Sequence, residues 1–386
     1  MKKRRLFSLF LSFALLLPLF SLTSADAYED FDLDAKAGLL IEADTGEILY
    51  EKNAHQENFP ASLTKVMVAL LVFEAIDEGK IALTDSVTAT ESAFEGLSSD
   101  GSTANIVPGE TMTVEQLLNC MLIVSANEAC NILGETLYGS VDAFVARMNE
   151  RAKELGMNDT HFVNCTGLPA EGHVTSAWDI ALMSRELILH HPDIRRFTTI
   201  WMDTLRGGSF QLSNTNKLIR FYDGATGLKT GSTDAAGFCI SATAERDGME
   251  LIAVIMKGQT ADKRNTDAKT LLNYGFSTYA LAEIAPQEPL APVPVRLGAE
   301  DAVQPVLPSG STLLVEKTKA GQLTQSVELP AEVEAPVAAG QALGTLTVRA
   351  GDEVLLELPL QAEQAVEKLS WGGMLTRLLR CAFLAG

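Results

Sequence analysis

The stretch "FPASLTKVMVALLVFEAI" (Phe59–Ile76) limits this chain more than any other. It reads as a buried apolar helix, yet Lys65 stands one turn inside it, three residues after Ser62. An ammonium in apolar surroundings must either find a partner or lose its proton. A fold for this sequence has to bury that helix and still provide for the lysine.

The flanking patterns supply the cover. "AGLLIEADTGEILYEKN" alternates about Asp44-Thr45-Gly46 and predicts a β-hairpin. The helix from Ser62 follows. "TVEQLLNCMLIV" and "ANEACNILGETLYG" are helical patterns broken at Ser125-Ala126-Asn127, and "SVDAFVARMNERAKELGM" has a capping serine and a terminating Gly156. Another helix starts at Ser176, where Asp179 completes a Ser-x-x-Asp capping box. "GLKTGST" reads as a short strand, "GFCISATAER" and "MELIAVIMKG" as a second hairpin, and "DAKTLLNYGFSTYALAE" as a closing helix. Strands at both ends with helices between them predict an α+β fold, one antiparallel sheet flanked by helices.

Composition changes near Ile284. Four prolines between 286 and 294 suit a stiff linker, and short Val/Leu alternations up to Val366 predict a small all-β domain. Residues 285–365 hold no histidine, cysteine or aromatic residue, so catalysis by histidine is excluded there and a spacer or docking role is expected. In the last segment, 367–386, Trp371, Met374, Leu375, Leu378, Leu379, Ala382 and Phe383 recur at helical spacing. It is too short and too charged to span a bilayer, and suits an amphipathic helix lying on a membrane surface; the alternative is a helix docked on the protein itself.

Both ends point outside the cytoplasm. Four basic residues, an apolar run from Leu6 to Leu22 and Ala25-Asp26-Ala27 form a secretory signal peptide over residues 1–27. The expected domains are therefore 1–27, 28–284, 285–366 and 367–386, with the protein at the outer face of the cytoplasmic membrane, in a periplasm or at the cell surface. The net charge is −20; the leader carries Lys2, Lys3, Arg4, Arg5 and Asp26, a net +3, so its removal leaves about −23. So acidic an exported protein is a poor nucleic-acid binder. The five cysteines are too few and irregular for a disulfide framework or zinc site and read as buried free thiols. No metal or cofactor is expected.

A serine hydroxyl needs a base within hydrogen-bond reach to act as a nucleophile, and residues three apart on a helix are neighbours. Among Val66, Met67 and Leu70, Lys65 is desolvated and its pKa pushed down, so it could accept the Ser62 proton. Ser-x-x-Lys alone is weak, since chance gives it about once in a chain this long. Two further elements strengthen it. Ser125-Ala126-Asn127, 63 residues downstream, offers a hydroxyl for proton passage and an amide to fix a peptide group. Lys229-Thr230-Gly231, another 104 residues on, suits a strand edge where an extended ligand lies close to backbone and its carboxylate meets the lysine. Taken singly, they read as a helix–helix turn and a turn lysine.

Together the three motifs resemble the signature of penicillin-binding proteins and serine β-lactamases. "ADTGEILYEKNAHQENFPASLTKVM", "NCTGLPAEGHVTSAWDIALM" and "GATGLKTGSTDAAGFCISATAERDGMELIAVIMKG" narrow this to D-alanyl-D-alanine carboxypeptidases, the low-molecular-mass penicillin-binding proteins, over roughly 35–282. The β-module and terminal helix match that family's layout. The resemblance implies a serine carboxypeptidase that removes the last D-alanine from peptidoglycan stem peptides and is acylated by β-lactams. It implies Ser62 as nucleophile, Lys65 as its base, Ser125 as proton relay and Asn127 as holder of the acyl amide. Lys229 and Thr230, beside Gly231, would bind the terminal carboxylate, and the backbone N–H groups of Ser62 and Ser232 would form the oxyanion hole. Arg264 has two readings, a family arginine that assists with the carboxylate or a solvated arginine at a helix start.

Ser232 stands where many members have histidine, Cys165-Thr166 where Pro-His is common, and Glu128 where aspartate often follows the second motif. These departures bear on substrate preference more than on the reaction. The alternatives are a β-lactamase, which has no need of the β-module or the terminal helix, and a non-catalytic penicillin-sensing or wall-binding protein, against which stands retention of all three motifs.

Overall fold

The computed structural model describes residues 33–98, 101–308 and 310–384, the last seven by backbone alone. The expected signal peptide, Cys381 and the apolar positions Leu378, Leu379, Ala382 and Phe383 lie outside the described side chains.

The two hairpins form one sheet. β1 (Ala37–Glu42) and β2 (Ile48–Lys52) join β3 (Ala225–Thr233), β4 (Gly237–Arg246) and β5 (Met249–Gly258) in the order β2-β1-β5-β4-β3, every pair antiparallel. Alternate residues serve opposite cores. Leu39, Ile41, Ile252 and Val254 face α1 (Thr64–Asp77), α2 (Val114–Ile123), α3 (Asn127–Tyr138), α4 (Val141–Glu154) and α5 (Ala177–His190). Leu40, Leu251 and Ala253 face Ala268, Leu271, Leu272 and Phe276 of α6 (Ala261–Thr278). Eleven of the fourteen residues of α1 are buried, so the helix has no polar stripe by which Lys65 could reach water.

Local details depart from expectation in three places. Ser62 does not begin α1: it sits in a 3-10 turn, Ala61–Leu63, because Ala61 is held at φ +48°, a left-handed conformation that breaks the helical ladder. At α5 only half of the capping box forms. Ser176 Oγ accepts the Asp179 N–H, but Asp179 Oδ2 turns to the Asp159 N–H and the Thr160 hydroxyl, donors packed against the helix start. The closing helix starts earlier, capped by Thr260, and gives way at Tyr279 to β6 (Tyr279–Glu283), which pairs with β7 (Thr312–Glu316). Tyr279 and Leu281 pack toward the α6 core and Ala282 toward the next one, a period of two that overrides helix propensity.

The remainder is all-β apart from one short helical turn and the C-terminal helix. β8 (Leu323–Glu328), β9 (Ala342–Ala350) and β10 (Glu353–Ala362) form an antiparallel sheet with Pro305–Val306 at its edge, beside a smaller three-stranded sheet. Last comes α7 (Trp371–Leu384). Trp371 and Leu375 are exposed, at 90% and 61%, while Arg377 pairs with Asp301. No described helix is long and apolar enough to cross a membrane.

Candidate active site

The turn that carries Ser62 is pressed between two backbones. A Cβ on Gly167 would meet the Ala61 carbonyl oxygen at 1.9 Å, and one on Gly231 would meet the Ser62 nitrogen at 2.8 Å. Only glycine permits either approach. Gly231 lies in β3, the free edge of the five-stranded sheet, so the edge expected of the third motif runs directly along the Ser62 backbone.

Lys65, fully enclosed, has its Nζ 2.9 Å from Ser62 Oγ, 2.7 Å from Asn127 Oδ1 and 2.7 Å from the Thr166 carbonyl oxygen. None of these partners is a carboxylate. Lost solvation therefore governs and holds the pKa of Lys65 below the ordinary lysine range, opposed by the acidic groups Cys130, Cys165 and Glu128. Of the three oxygens, two are carbonyls that only accept, whereas the hydroxyl can also donate. When Lys65 is neutral, its two remaining N–H groups satisfy the carbonyls and its lone pair is left for the Ser62 proton.

The second motif forms the facing wall. Ser125, at the break between α2 and α3, has φ +65° and is buried; among the described residues its Oγ has no hydrogen-bond partner. Asn127 begins α3 and holds Lys65. Glu128 points elsewhere: its carboxylate accepts from the Thr103 hydroxyl and the Ala104 and Ile106 N–H groups, tying down the loop beside Asn127.

On the third side Lys229 is buried and donates to the Thr230 carbonyl, and the Thr230 hydroxyl donates to Thr215 Oγ1 at 2.8 Å. Burial first, and then the charges of Lys65 and Arg264, push Lys229 well below the usual lysine range. Arg264 is not a solvated helix-start residue: it is buried, donates to Asn265 Oδ1 and the Cys239 carbonyl, and burial lowers its pKa to about 10. Ser232 is exposed at the end of β3. The structure thus joins Ser62, Lys65 and Asn127 by hydrogen bonds and lays Gly231 of β3 against the Ser62 backbone, with Ser125 at the α2–α3 break, Lys229 and Thr230 next to Gly231 in the strand, Ser232 exposed near its end, and the charge of Arg264 acting on Lys229.

Sequence reasoning gave no role in the site to four contributors. The Thr166 carbonyl leaves no trace in sequence, since any residue supplies one. Glu128 and Thr215 emerge only from their partners. His173 accepts the Val163 N–H at Nδ1, which leaves its Nε2–H for Thr64 Oγ1, whose hydroxyl donates to the Ala61 carbonyl. It pins the turn that bears Ser62, and burial holds its pKa at about 4. Cys120, Cys130, Cys165 and Cys239 are buried free thiols, and burial raises Cys130 to about 11.

The model of the D-alanyl-D-alanine carboxypeptidase family matches residues 23–260, and that of the C-terminal domain of penicillin-binding protein 5 matches 284–368. The chain belongs to the D-alanyl-D-alanine carboxypeptidase family. It is 38% identical to the D-alanyl-D-alanine carboxypeptidase DacF of Bacillus subtilis over 90% of this chain and 89% of that protein. Penicillin-binding protein 5 of Haemophilus influenzae superposes with a TM-score of 0.78 at 28% identity, covering 88% of this chain and 99% of that one. Penicillin-binding protein D2 of Listeria monocytogenes, solved with ampicillin bound, gives 0.58 at 36% identity over 64% of this chain and 99% of that one. This carboxypeptidase is a serine peptidase of the penicillin-binding type, acting on D-Ala-D-Ala ends.

Proposed function

We propose that Ser62 attacks the carbonyl of the penultimate D-alanine while neutral Lys65 takes its proton. The observation that carries this is the enclosed Lys65 Nζ, 2.9 Å from Ser62 Oγ, with carbonyl oxygens as its other partners. The developing oxyanion lies between the N–H groups of Ser62 and Ser232, where β3 approaches the turn. One such donor is worth about 10²–10³ in rate. The proton then passes from Lys65 through the Ser125 hydroxyl to the departing nitrogen. The C–N bond breaks, D-alanine leaves and an ester on Ser62 remains, which water hydrolyses. Asn127 holds the acyl amide; Lys229, Thr230 and Gly231, with Arg264 behind, hold the terminal carboxylate. A β-lactam follows the same first step and stays as the ester.

In this reading residues 28–284 are the peptidase unit, 285–366 a spacer, and 367–386 a helix that rests on the outer face of the cytoplasmic membrane after export. The exposed Trp371 and Leu375 support the last assignment. The purified protein should release D-alanine from an acyl-D-Ala-D-Ala peptide. Ser62→Ala should end both that release and covalent penicillin capture without unfolding the chain; continued capture refutes the assignment of Ser62.

A further inference from the structure

A short segment with no part in the three motifs crosses the carboxylate end of the cleft. Asn214 and Asn216 are buried and their side chains are committed to backbone. Asn214 Nδ2 donates to the Ile200 carbonyl and its Oδ1 accepts the Asn216 N–H; Asn216 Nδ2 donates to the Gly227 carbonyl of β3 and its Oδ1 accepts the Leu218 N–H. Between them the Thr215 N–H donates to the Ile123 carbonyl, two residues before Ser125. The segment thus bridges the α2–α3 break and the edge strand. The residue it leaves exposed is Thr215, whose Oγ1 receives the Thr230 hydroxyl proton at 2.8 Å.

We infer that Thr215 is a substrate-binding residue, a second hydroxyl donor to the terminal carboxylate of the substrate. This rests on the reading of Lys229 and Thr230 as the carboxylate site. A carboxylate accepts at both oxygens and offers no proton. In the free cleft the Thr230 proton is spent on Thr215, and the Thr215 proton remains to be given. Once a carboxylate enters, two hydroxyls fixed 2.8 Å apart can serve it together. The Lys229 Nζ donates to the Thr230 carbonyl next to them. The saturated asparagines fix the position of Thr215 before binding, which limits the ordering cost of recognition.

The test compares two acyl-D-alanyl thioesters of thioglycolic acid, one with a free carboxylate and one as its methyl ester; the reactive thioester keeps both measurable. Thr215→Val should lower kcat/KM for the free acid by about tenfold or more, mainly through KM, and change the ester by less than about twofold. Thr215→Ser should restore the preference and Thr215→Ala should repeat the loss. Full covalent capture at saturating penicillin shows that each variant is folded with Ser62 competent. Equal effects on acid and ester, or none on the acid, overturn the inference. Thr230→Val separates the two failures. If it too leaves the preference for the acid unchanged, the carboxylate reading of the third motif falls; if it erases the preference while Thr215→Val does not, only the role of Thr215 falls.

Discussion

Lys65 and His173 show burial used in two ways. Both lie out of water and both are held toward the neutral form, which in Lys65 leaves a lone pair beside Ser62 Oγ and in His173 keeps a hydrogen-bond direction. The His173 ring can accept from Val163 and donate to Thr64 only while uncharged. Its ordinary pKa is 6.5; in the fold burial, aided by the charge of His161, lowers it to about 4. Above pH 6.5 neither the folded nor the unfolded chain carries that proton and stability is unaffected. Between about 6.5 and 4 the unfolded chain takes it up and the fold does not, so stability falls with pH, by at most roughly 3 kcal/mol from this group. His173→Gln should flatten that part of the decline in urea unfolding run at pH 7 and pH 4.5. An identical pH dependence in both proteins would show that the ring does not carry it.

Among the elements, β3 matters most to the chemistry, because its backbone forms one side of the reacting turn. Gly231→Ala places a methyl 2.8 Å from the Ser62 nitrogen and 3.1 Å from both the Ala61 Cβ and the Leu63 nitrogen, with no flexible atom among them to yield. The turn must move, and displacement of about 1 Å at a reacting centre costs on the order of 10²-fold. Stopped-flow acylation by a chromogenic β-lactam should show that loss in a folded protein; a wild-type rate would place the oxyanion site elsewhere. The hairpins at Asp44-Thr45-Gly46 and Asp247-Gly248 and the helices through α5 are legible in sequence because their apolar periods are long and their caps local. The strand at Tyr279–Glu283 is not, since its partner, Thr312–Glu316, lies in the next module and only pairing makes it a strand. The site divides similarly. Ser62, Lys65, Ser125, Asn127, Lys229 and Thr230 announce themselves by side-chain chemistry at fixed spacing. The Thr166 carbonyl and the left-handed Ala61 are backbone features, and Thr215 acquires meaning only from the strand it faces.

At the scale of the molecule, the β6–β7 pairing joins the α+β body to the all-β module, and Lys317 Nζ donates to the Phe276 carbonyl across the same junction. The catalytic cleft draws every candidate residue from positions 62–264, so the C-terminal segments are free to serve placement. Removing 367–386 should shift the enzyme from the membrane to the soluble fraction with D-alanine release per molecule unchanged. Sedimentation of the shortened enzyme with membranes would assign anchoring to another surface.

The proposed acylation turns on the charge of one side chain, that of Lys65. Selective isotopic labelling of the lysines, with Lys65→Arg to assign the signal, lets the Lys65 Nζ be titrated by NMR in the intact enzyme. A neutral amine at the pH where acylation proceeds, titrating below the ordinary lysine range, is the expected result. An ammonium that persists across the whole pH range of activity contradicts it.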